Sequence, residues 1–253
     1  MSVPLKQLLN QIDEWLQPAT ISDYCPNGLQ VEGRSEVRRL VTGVTACQAL
    51  IDAAVEAGAD AVLVHHGYFW KGENPCVTGL KKRRLQSLLA ADISLLAYHL
   101  PLDLHADYGN NVQLAKRLGL SVEGPLDPVA RQSVGLWGQL AQPETAAAFA
   151  ARVARTLARE PQLIGDPDRE IRRIGWCTGA AQGYIEQAVA LGLDAYVSGE
   201  ISEPTVHSAR EHDIAYFAVG HHASERYGVQ ALGDALAERF GIEHRYIEID
   251  NPV

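Results

Sequence analysis

The chain has 253 residues, of which 47% are hydrophobic and 21% charged, a balance typical of a globular protein with a substantial core. Its formal net charge of −9 argues against general nucleic-acid binding, and no apolar run reaches the roughly 18 residues of a membrane span. The first segment, MSVPLKQLLNQIDEWLQ, predicts an amphipathic helix with acidic residues rather than a signal peptide, so we expect a cytoplasmic protein.

The four cysteines are scattered along the chain and form no CxxC pair. They are Cys25, Cys47, Cys76 and Cys177. We expect reduced thiols, and this spacing does not support a zinc ribbon.

The first α/β segment starts at Arg38 and reads RRLVTGVTACQALIDAAVEAGADAVLVHHG. The β-branched run LVTGVT predicts a buried strand, apolar residues at helical spacing from Leu50 to Ala57 predict a helix, and AVLV predicts a second strand. Gly58 occupies the position of a helix C-cap glycine. The pattern predicts a right-handed βαβ unit with parallel strands.

A similar segment, RRIGWCTGAAQGYIEQAVALGLDAYVSGEI, starts at Arg172, at an offset of 134 residues (172 − 38). Identical pairs at that offset include Arg39 and Arg173, Gln48 and Gln182, Ile51 and Ile185, Val55 and Val189, Gly58 and Gly192, and Asp60 and Asp194. Alternating α/β sequences resemble one another by pattern alone, but the matched polar residues exceed what that pattern requires. We therefore interpret the two segments as copies of one duplicated unit.

Each copy continues with a predicted helix and strand. RRLQSLLAAD and ISLLAYH follow the first copy, and EPTVHSAREHD and IAYFAVGHH follow the second. His99 and Asp103 come at the end of one strand, and His221 and Glu225 come at the end of the other. Both copies therefore place an imidazole and a carboxylate four residues apart at matching strand ends.

The segment between the copies contains one predicted strand, VGLWGQL, and an Ala-rich helix that Thr145 can cap. We predict an α/β fold built from two intertwined βαβ-based repeats with largely parallel sheets. The predicted bounds are 1–124 for the first repeat, 125–170 for the linking segment and 171–253 for the second repeat, in one compact unit.

Polar side chains cluster where the predicted parallel strands end, which is where open parallel sheets bind ligands. The candidate donors are His65, His66, Asp103, His221 and Glu225, with His99, His222, Glu200 and Asp107 beside them. Imidazole and carboxylate donors suit Zn²⁺, Fe²⁺, Mn²⁺ or Co²⁺, and two such ions sharing a water are the usual arrangement for hydrolysis. No thiol is expected near these donors.

Each of these sequence motifs, taken alone, also has an interpretation that involves no metal. A His-His pair is often a surface feature, and His-x-x-x-Glu is often a plain helical contact. Their joint occurrence at matching strand ends favours metal binding. Four other histidines have no second donor at a matching strand end, and we interpret them as ordinary residues: His105, His207, His212 and His244.

Two further stretches leave alternatives open. Lys81 to Arg84 is either a solvated helix face or a local phosphate-binding patch. Phe69 and Trp70, in GYFWKGE, either pack in the core or a subunit contact, or stack against a base.

Several long stretches closely resemble the Nif-three-like family, whose members are often named type-two homologues of GTP cyclohydrolase I. They are SDYCPNGLQVEG, VTGVTACQALIDAA, GADAVLVHHGYFWKGE, YHLPLDLHADYGNN, GWCTGAAQGYI, DAYVSGEISEPTVHSARE and AVGHHASERYGVQAL. The resemblance implies two intertwined α/β repeats and a homohexameric ring. It also implies two divalent metal ions per chain, facing an internal cavity, with ligands His65, His66, Asp103, His221 and Glu225. His99 and His222 would lie beside the ligands.

Three functions follow as hypotheses. The first is a metal-dependent hydrolase, cyclohydrolase-like, acting on a nucleotide or cyclic amide as its small-molecule substrate. The second is a non-enzymatic metal-binding ring that serves as a scaffold or regulator. The third is a ring associated with nucleic acid, which the net charge of −9 disfavours.

Overall fold

The computed structural model describes residues 1–253, which form two compact units. Unit 1 consists of Met1–Tyr108 and Gly228–Asp250, and unit 2 consists of Gly109–Tyr227 and Asn251–Val253. The predicted repeat bounds stay a prediction, and the compact units group residues 109–170 with 171–227 and residues 228–250 with 1–108. The duplication itself stays a prediction.

The strands are short, as is usual in α/β proteins. In chain order they are β1 (Val3–Pro4), β2 (Gly28–Val31), β3 (Glu36–Val37), β4 (Arg39–Thr45), β5 (Ala61–His66), β6 (Ser94–Ala97), β7 (Gly124–Pro125), β8 (Leu136–Thr145), β9 (Gln162–Ile164), β10 (Glu170–Cys177), β11 (Ala195–Ser198), β12 (Ala215–Ala218) and β13 (Glu243–Tyr246).

The chain contains nine α-helices. They are α1 (Leu5–Leu16), α2 (Gln48–Glu56), α3 (Gly79–Ala90), α4 (Leu100–Asp103), α5 (Asn110–Leu118), α6 (Ala146–Leu157), α7 (Ile185–Ala190), α8 (Glu203–Glu211) and α9 (His221–Phe240). None of them combines the length and the apolar character that a membrane span requires.

Unit 1 contains a five-stranded sheet in the order β13-β4-β5-β6-β2 and a small β1-β3 pair. The first four strands of the larger sheet are parallel, and β2 pairs antiparallel with β6. Unit 2 contains a six-stranded sheet in the order β7-β8-β10-β11-β12-β9. Its strands β10, β11 and β12 are parallel, while β7, β8 and β9 are antiparallel to their neighbours. The predicted α/β class is confirmed, with antiparallel strands at the sheet edges.

The strands are apolar on both faces because each sheet is covered on both sides. In unit 1, Leu63 of β5 belongs to the cluster that includes α1, whereas Val62 and Val64 belong to the cluster that includes α2. Unit 2 repeats the arrangement, with Val197 of β11 in one cluster and Tyr196 in the other. The continuous apolar runs of the sequence therefore mark central, fully buried strands.

The same local contacts close the βαβ segment in each unit. In unit 1, one carboxylate oxygen of Asp60 accepts hydrogen bonds from the backbone N–H groups of Arg38 and Arg39, at 2.7 and 2.9 Å. In unit 2, Asp194 accepts from the N–H groups of Arg172 and Arg173, at 2.9 and 2.7 Å. The identical residues at an offset of 134 therefore perform identical structural tasks.

Segment 125–170 is integrated in the sheet of unit 2. Its strand β8 pairs with β10, and the predicted cap residue Thr145 accepts a hydrogen bond from the N–H of Ala148 at 3.2 Å to start α6. Phe149 and Val153 of α6 are fully buried. The predicted strand and helix are thus present, as part of the packed core.

Candidate metal centre

His65 and His66 are the last two residues of β5, so the end of a buried strand places both imidazoles. His65 is fully buried and His66 is half-buried. Their ring centroids lie 4.6 Å apart. Adjacent strand residues normally point to opposite faces, and this proximity exists because the strand ends here.

His99 and Asp103 lie on either end of α4, a single helical turn that follows β6. The N–H of Asp103 donates to the carbonyl of His99 at 3.2 Å, which closes the turn. Asp103 is 6% exposed, and its Oδ2 lies 3.5 Å from Nε2 of His65. A buried carboxylate is costly unless a positive group or hydrogen-bond donor compensates its charge.

The Nδ1 atom of each of these three histidines is held by a polar group of unit 1. His65 Nδ1 lies 3.0 Å from the carbonyl oxygen of Tyr98, and His66 Nδ1 lies 3.1 Å from the hydroxyl of Thr45. His99 Nδ1 lies 2.9 Å from Oδ1 of Asp23.

These partners decide the tautomer of two rings. A carbonyl and a carboxylate only accept hydrogen bonds, so Nδ1 of His65 and of His99 must carry the proton. In the neutral imidazole, Nε2 then keeps its lone pair. One ligand-type atom of His65, His66 and His99 can be chosen so that all three lie within 4.8 Å of one another. Metal-binding histidines in proteins are commonly fixed in this way.

In unit 2, His221 and Glu225 lie one turn apart at the start of α9. His221 Nδ1 lies 2.7 Å from Oε1 of Glu200, and its Nε2 lies 3.1 Å from Oε2 of Glu225. Burial would lower the pKa of His221, but the hydrogen bonds and charges of Glu225 and Glu200 outweigh burial and raise it to about 9. The metal-free site therefore holds an imidazolium between two carboxylates.

Two glycines leave room at this second set of donors. A Cβ at Gly179, whose φ is +70°, would lie 2.3 Å from Oε1 of Glu225 and 3.2 Å from Nε2 of His221. A Cβ at Gly199 would lie 2.7 Å from Cα of His221. Any larger residue would occupy the space beside the donor atoms.

The donor chemistry fits divalent cations. Unit 1, taken by itself, contains imidazole nitrogens and the Asp103 carboxylate, and unit 2, taken by itself, contains the His221 imidazole and the Glu225 carboxylate, which is 3% exposed. Nitrogen and oxygen donors of this kind suit zinc and its first-row neighbours.

The expectation that no thiol lies near the donors is wrong. Asp23, Cys25 and His99 offer ligand-type atoms within 4.8 Å of one another. Burial, together with the charge and hydrogen bond of Asp23, raises the pKa of the Cys25 thiol to about 12. In the metal-free protein this thiol is therefore protonated at neutral pH.

The three remaining candidates from the sequence, Glu200, His222 and Asp107, differ in their surroundings. Glu200 lies against His221, as described above. His222 is 8% exposed, and its backbone N–H donates to the carbonyl of Val253 at 2.9 Å. Asp107 is exposed, and its N–H donates to Nδ1 of His105.

Three histidines that the sequence marks as ordinary have ordinary partners. His105 Nδ1 accepts from the N–H of Tyr108, and the exposed His207 pairs with Glu203. His244 uses both nitrogens, on Thr42 and Asp234, at 2.8 Å each.

The basic and aromatic stretches near the histidines hold a loop together. Lys81 lies 2.8 Å from Glu73, donates to the carbonyl of Asn74 and lies over the Phe69 ring. The Trp70 indole N–H donates to the carbonyl of Gly67 at 3.2 Å. These contacts favour a structural interpretation of Lys81 and Trp70.

Sequence reasoning missed Asp23 and Thr45, which hold His99 and His66. Asp23 belongs to the stretch SDYCPNGLQVEG, which contributes to the family resemblance, but it lies in an irregular segment with no periodic pattern. Thr45 ends β4 directly beside His66 in the strand register.

Comparison with known proteins agrees with this architecture over the whole chain. The profile of the family described as Duf34/NIF3 (NGG1p interacting factor 3) matches residues 3–252. A Pseudomonas aeruginosa protein named "GTP cyclohydrolase 1 type 2 homolog" is 64% identical over 100% of both chains. An Escherichia coli K12 protein of the same name is 49% identical over 98% of each chain.

Solved structures show the same fold. A protein described as "protein ybgI, unknown function" has a TM-score of 0.94 at 48% identity, covering 99% of this chain and 100% of that one. A Thermus thermophilus protein has a TM-score of 0.89 at 30% identity, with the same coverage. From the profile match and these identities, the chain belongs to the Duf34/NIF3 family.

Proposed function

We propose that this protein binds divalent metal ions through His65, His66, Asp103, His221 and Glu225 and uses them for hydrolysis. The observation that carries the proposal is the way in which hydrogen bonds at Nδ1 hold the buried imidazole rings. In His65 and His99, Nδ1 is held by an acceptor of the protein, the carbonyl of Tyr98 and the carboxylate of Asp23, so the lone pair of the neutral ring is on Nε2. Two ions per chain, of zinc, iron, manganese or cobalt, match the number and type of donors.

The chain's own residues would orient the ions and exclude water from the donors. A divalent ion at such a site lowers the pKa of a bound water and polarises a carbonyl or phosphoryl oxygen. Asp103 and Glu225 supply the compensating negative charge. Glu200 fixes the ring of His221 by accepting a hydrogen bond from its Nδ1–H.

A nucleotide or cyclic amide is the substrate class we propose. The name of the relatives, "GTP cyclohydrolase 1 type 2 homolog", supports it by analogy only. The ring of six chains that the resemblance implies also stays a prediction, which sedimentation of the purified protein tests.

Metal content is the first test. Protein purified without chelator should contain about two divalent ions per chain by elemental analysis, and His65→Ala and Asp103→Ala should each lower this content. A wild-type protein without bound metal, even after incubation with manganese, zinc or cobalt, would overturn the proposal of a metal site.

Turnover is the second test. Metal-loaded wild type should convert GTP, another nucleotide or a cyclic amide faster than Asp103→Ala prepared in the same way. Metal binding with no turnover above that variant would refute the hydrolase and support the non-enzymatic scaffold. The scaffold further predicts that His65→Ala changes assembly or partner capture.

A further inference from the structure

We propose that His99 is an additional nitrogen donor to the metal and that Asp23 is the residue that positions it. This inference rests on the proposed metal site and extends it by one ligand and one positioning carboxylate.

Asp23 is a fully occupied hydrogen-bond acceptor. Its side chain is 3% exposed. Oδ1 accepts from the N–H of Tyr24 at 2.7 Å and from His99 Nδ1 at 2.9 Å, while Oδ2 accepts from Asn27 Nδ2 at 3.0 Å and from the N–H of Leu100 at 2.9 Å. A carboxylate with four donors is held in place and has no need of a metal ion.

Those bonds also decide which nitrogen of His99 carries the proton. Each carboxylate oxygen accepts two hydrogen bonds from N–H groups, so the Asp23 side chain acts only as an acceptor. Nδ1 of His99 therefore carries a proton, and in the neutral ring the lone pair is on Nε2.

The His99 ring is fixed from its flanks as well. The rings of Tyr24 and Trp70 meet it edge-on, with centroid distances of 5.3 and 5.0 Å. The backbone N–H of His99 donates to Oδ1 of Asn27 at 2.7 Å. A side chain restrained on this many sides is pre-organised for one orientation.

That orientation brings the ring to the other two histidines. The His99 centroid lies 4.9 Å from that of His65 and 5.7 Å from that of His66. With Nδ1 taken by Asp23, Nε2 is the atom that His99 can offer to the group of three. A carboxylate, an imidazole and a metal in series is a common arrangement in metalloproteins.

The pair of His244 and Asp234 resembles the pair of His99 and Asp23 but has no role in metal binding. Nδ1 of His244 also lies 2.8 Å from a carboxylate, that of Asp234, but its Nε2 lies 2.8 Å from the hydroxyl of Thr42. Both ring nitrogens are therefore used within the protein. Asp234→Asn and His244→Gln are matched controls in unit 1.

The test is titration of the chelator-treated protein with Co²⁺, followed by visible absorption and by competition with a chelator. His99→Gln keeps an N–H donor for Asp23 but lacks the imidazole lone pair. It should change the shape of the Co²⁺ spectrum, because a nitrogen donor is lost, and weaken affinity. Asp23→Asn should weaken affinity by about 10- to 100-fold with a similar donor set. The controls should match wild type in both measurements.

The outcomes separate this inference from the proposed function. Wild type that binds no Co²⁺ would overturn both. Wild type that binds, with His99→Gln giving the same spectrum and affinity, would overturn the role of His99 alone. Circular dichroism of each variant checks folding, and if His99→Gln fails to fold, ¹⁵N NMR of wild-type histidine rings decides. A proton on Nε2 of His99 in metal-free protein, in place of Nδ1, would refute the inference.

Discussion

The metal-free protein should become less stable between pH 6.5 and about 9 because of His221. Both ring nitrogens of this histidine face carboxylates, and its pKa is raised from 6.5 to about 9 despite burial. The folded state therefore binds the proton more tightly than the unfolded state. The resulting stabilisation is fully present below pH 6.5 and is lost as the pH rises through about 9.

The size of the effect follows from the difference between the two pKa values. A shift from 6.5 to about 9 corresponds to an upper limit of about 3 kcal/mol, at roughly 1.4 kcal/mol per unit. The side chain of His221 is 27% exposed, so solvent screening reduces this value only in part.

Urea unfolding of chelator-treated protein measures the stabilisation that protonated His221 contributes. The free energy of unfolding of wild type minus that of His221→Gln should fall by up to about 3 kcal/mol from pH 6.5 to 9, since the titrations of groups that do not contact His221 cancel in the difference. Burial lowers the pKa of His105, so its titration lies below pH 6.5 and the difference for His105→Gln should stay flat over this window. A flat difference for His221→Gln as well would refute the reasoning.

Three further predictions concern packing and helix capping. Gly199→Ala would place a Cβ 2.6 Å from the backbone oxygen of Gly179, so urea unfolding should show a loss of about 1–3 kcal/mol in the free energy of unfolding, and Co²⁺ titration should show a weaker affinity. Gly183 has open space around it, so Gly183→Ala should behave like wild type in both measurements. Phe149→Ala empties a fully buried position and should cost about 3–5 kcal/mol in urea unfolding; a loss below 1 kcal/mol would contradict the packing. Thr145→Ala removes the cap of α6 and should cost about 1 kcal/mol, with Thr145→Ser close to wild type.

Much of the fold could be predicted because the determinants are local. The apolar runs of β4 and β5 and the glycine after α2 are visible in the sequence, as are the matching features around β10 and β11. His65, His66, His99 and Asp103 were also identifiable, since polar residues that end an apolar strand stand out.

The groups that orient those side chains were not predictable. The carbonyl of Tyr98 belongs to the backbone and leaves no mark in the residue type. Asp23 reaches His99 across 76 positions from a segment without regular structure. The pairing of β8 with β10 was not predictable for a similar reason, since it depends on tertiary contact and not on spacing along the chain.

Thr45 and His66 are partners in the β4–β5 ladder, and their side chains are hydrogen-bonded at 3.1 Å. The register between β4 and β5 therefore fixes where the hydroxyl of Thr45 lies relative to the His66 ring. An insertion or deletion of one residue in β4 would turn Thr45 to the opposite face even if the sheet re-formed around a shifted ladder. Natural variants of this chain should therefore vary in length within the loop between β5 and α3, and hardly ever within β4.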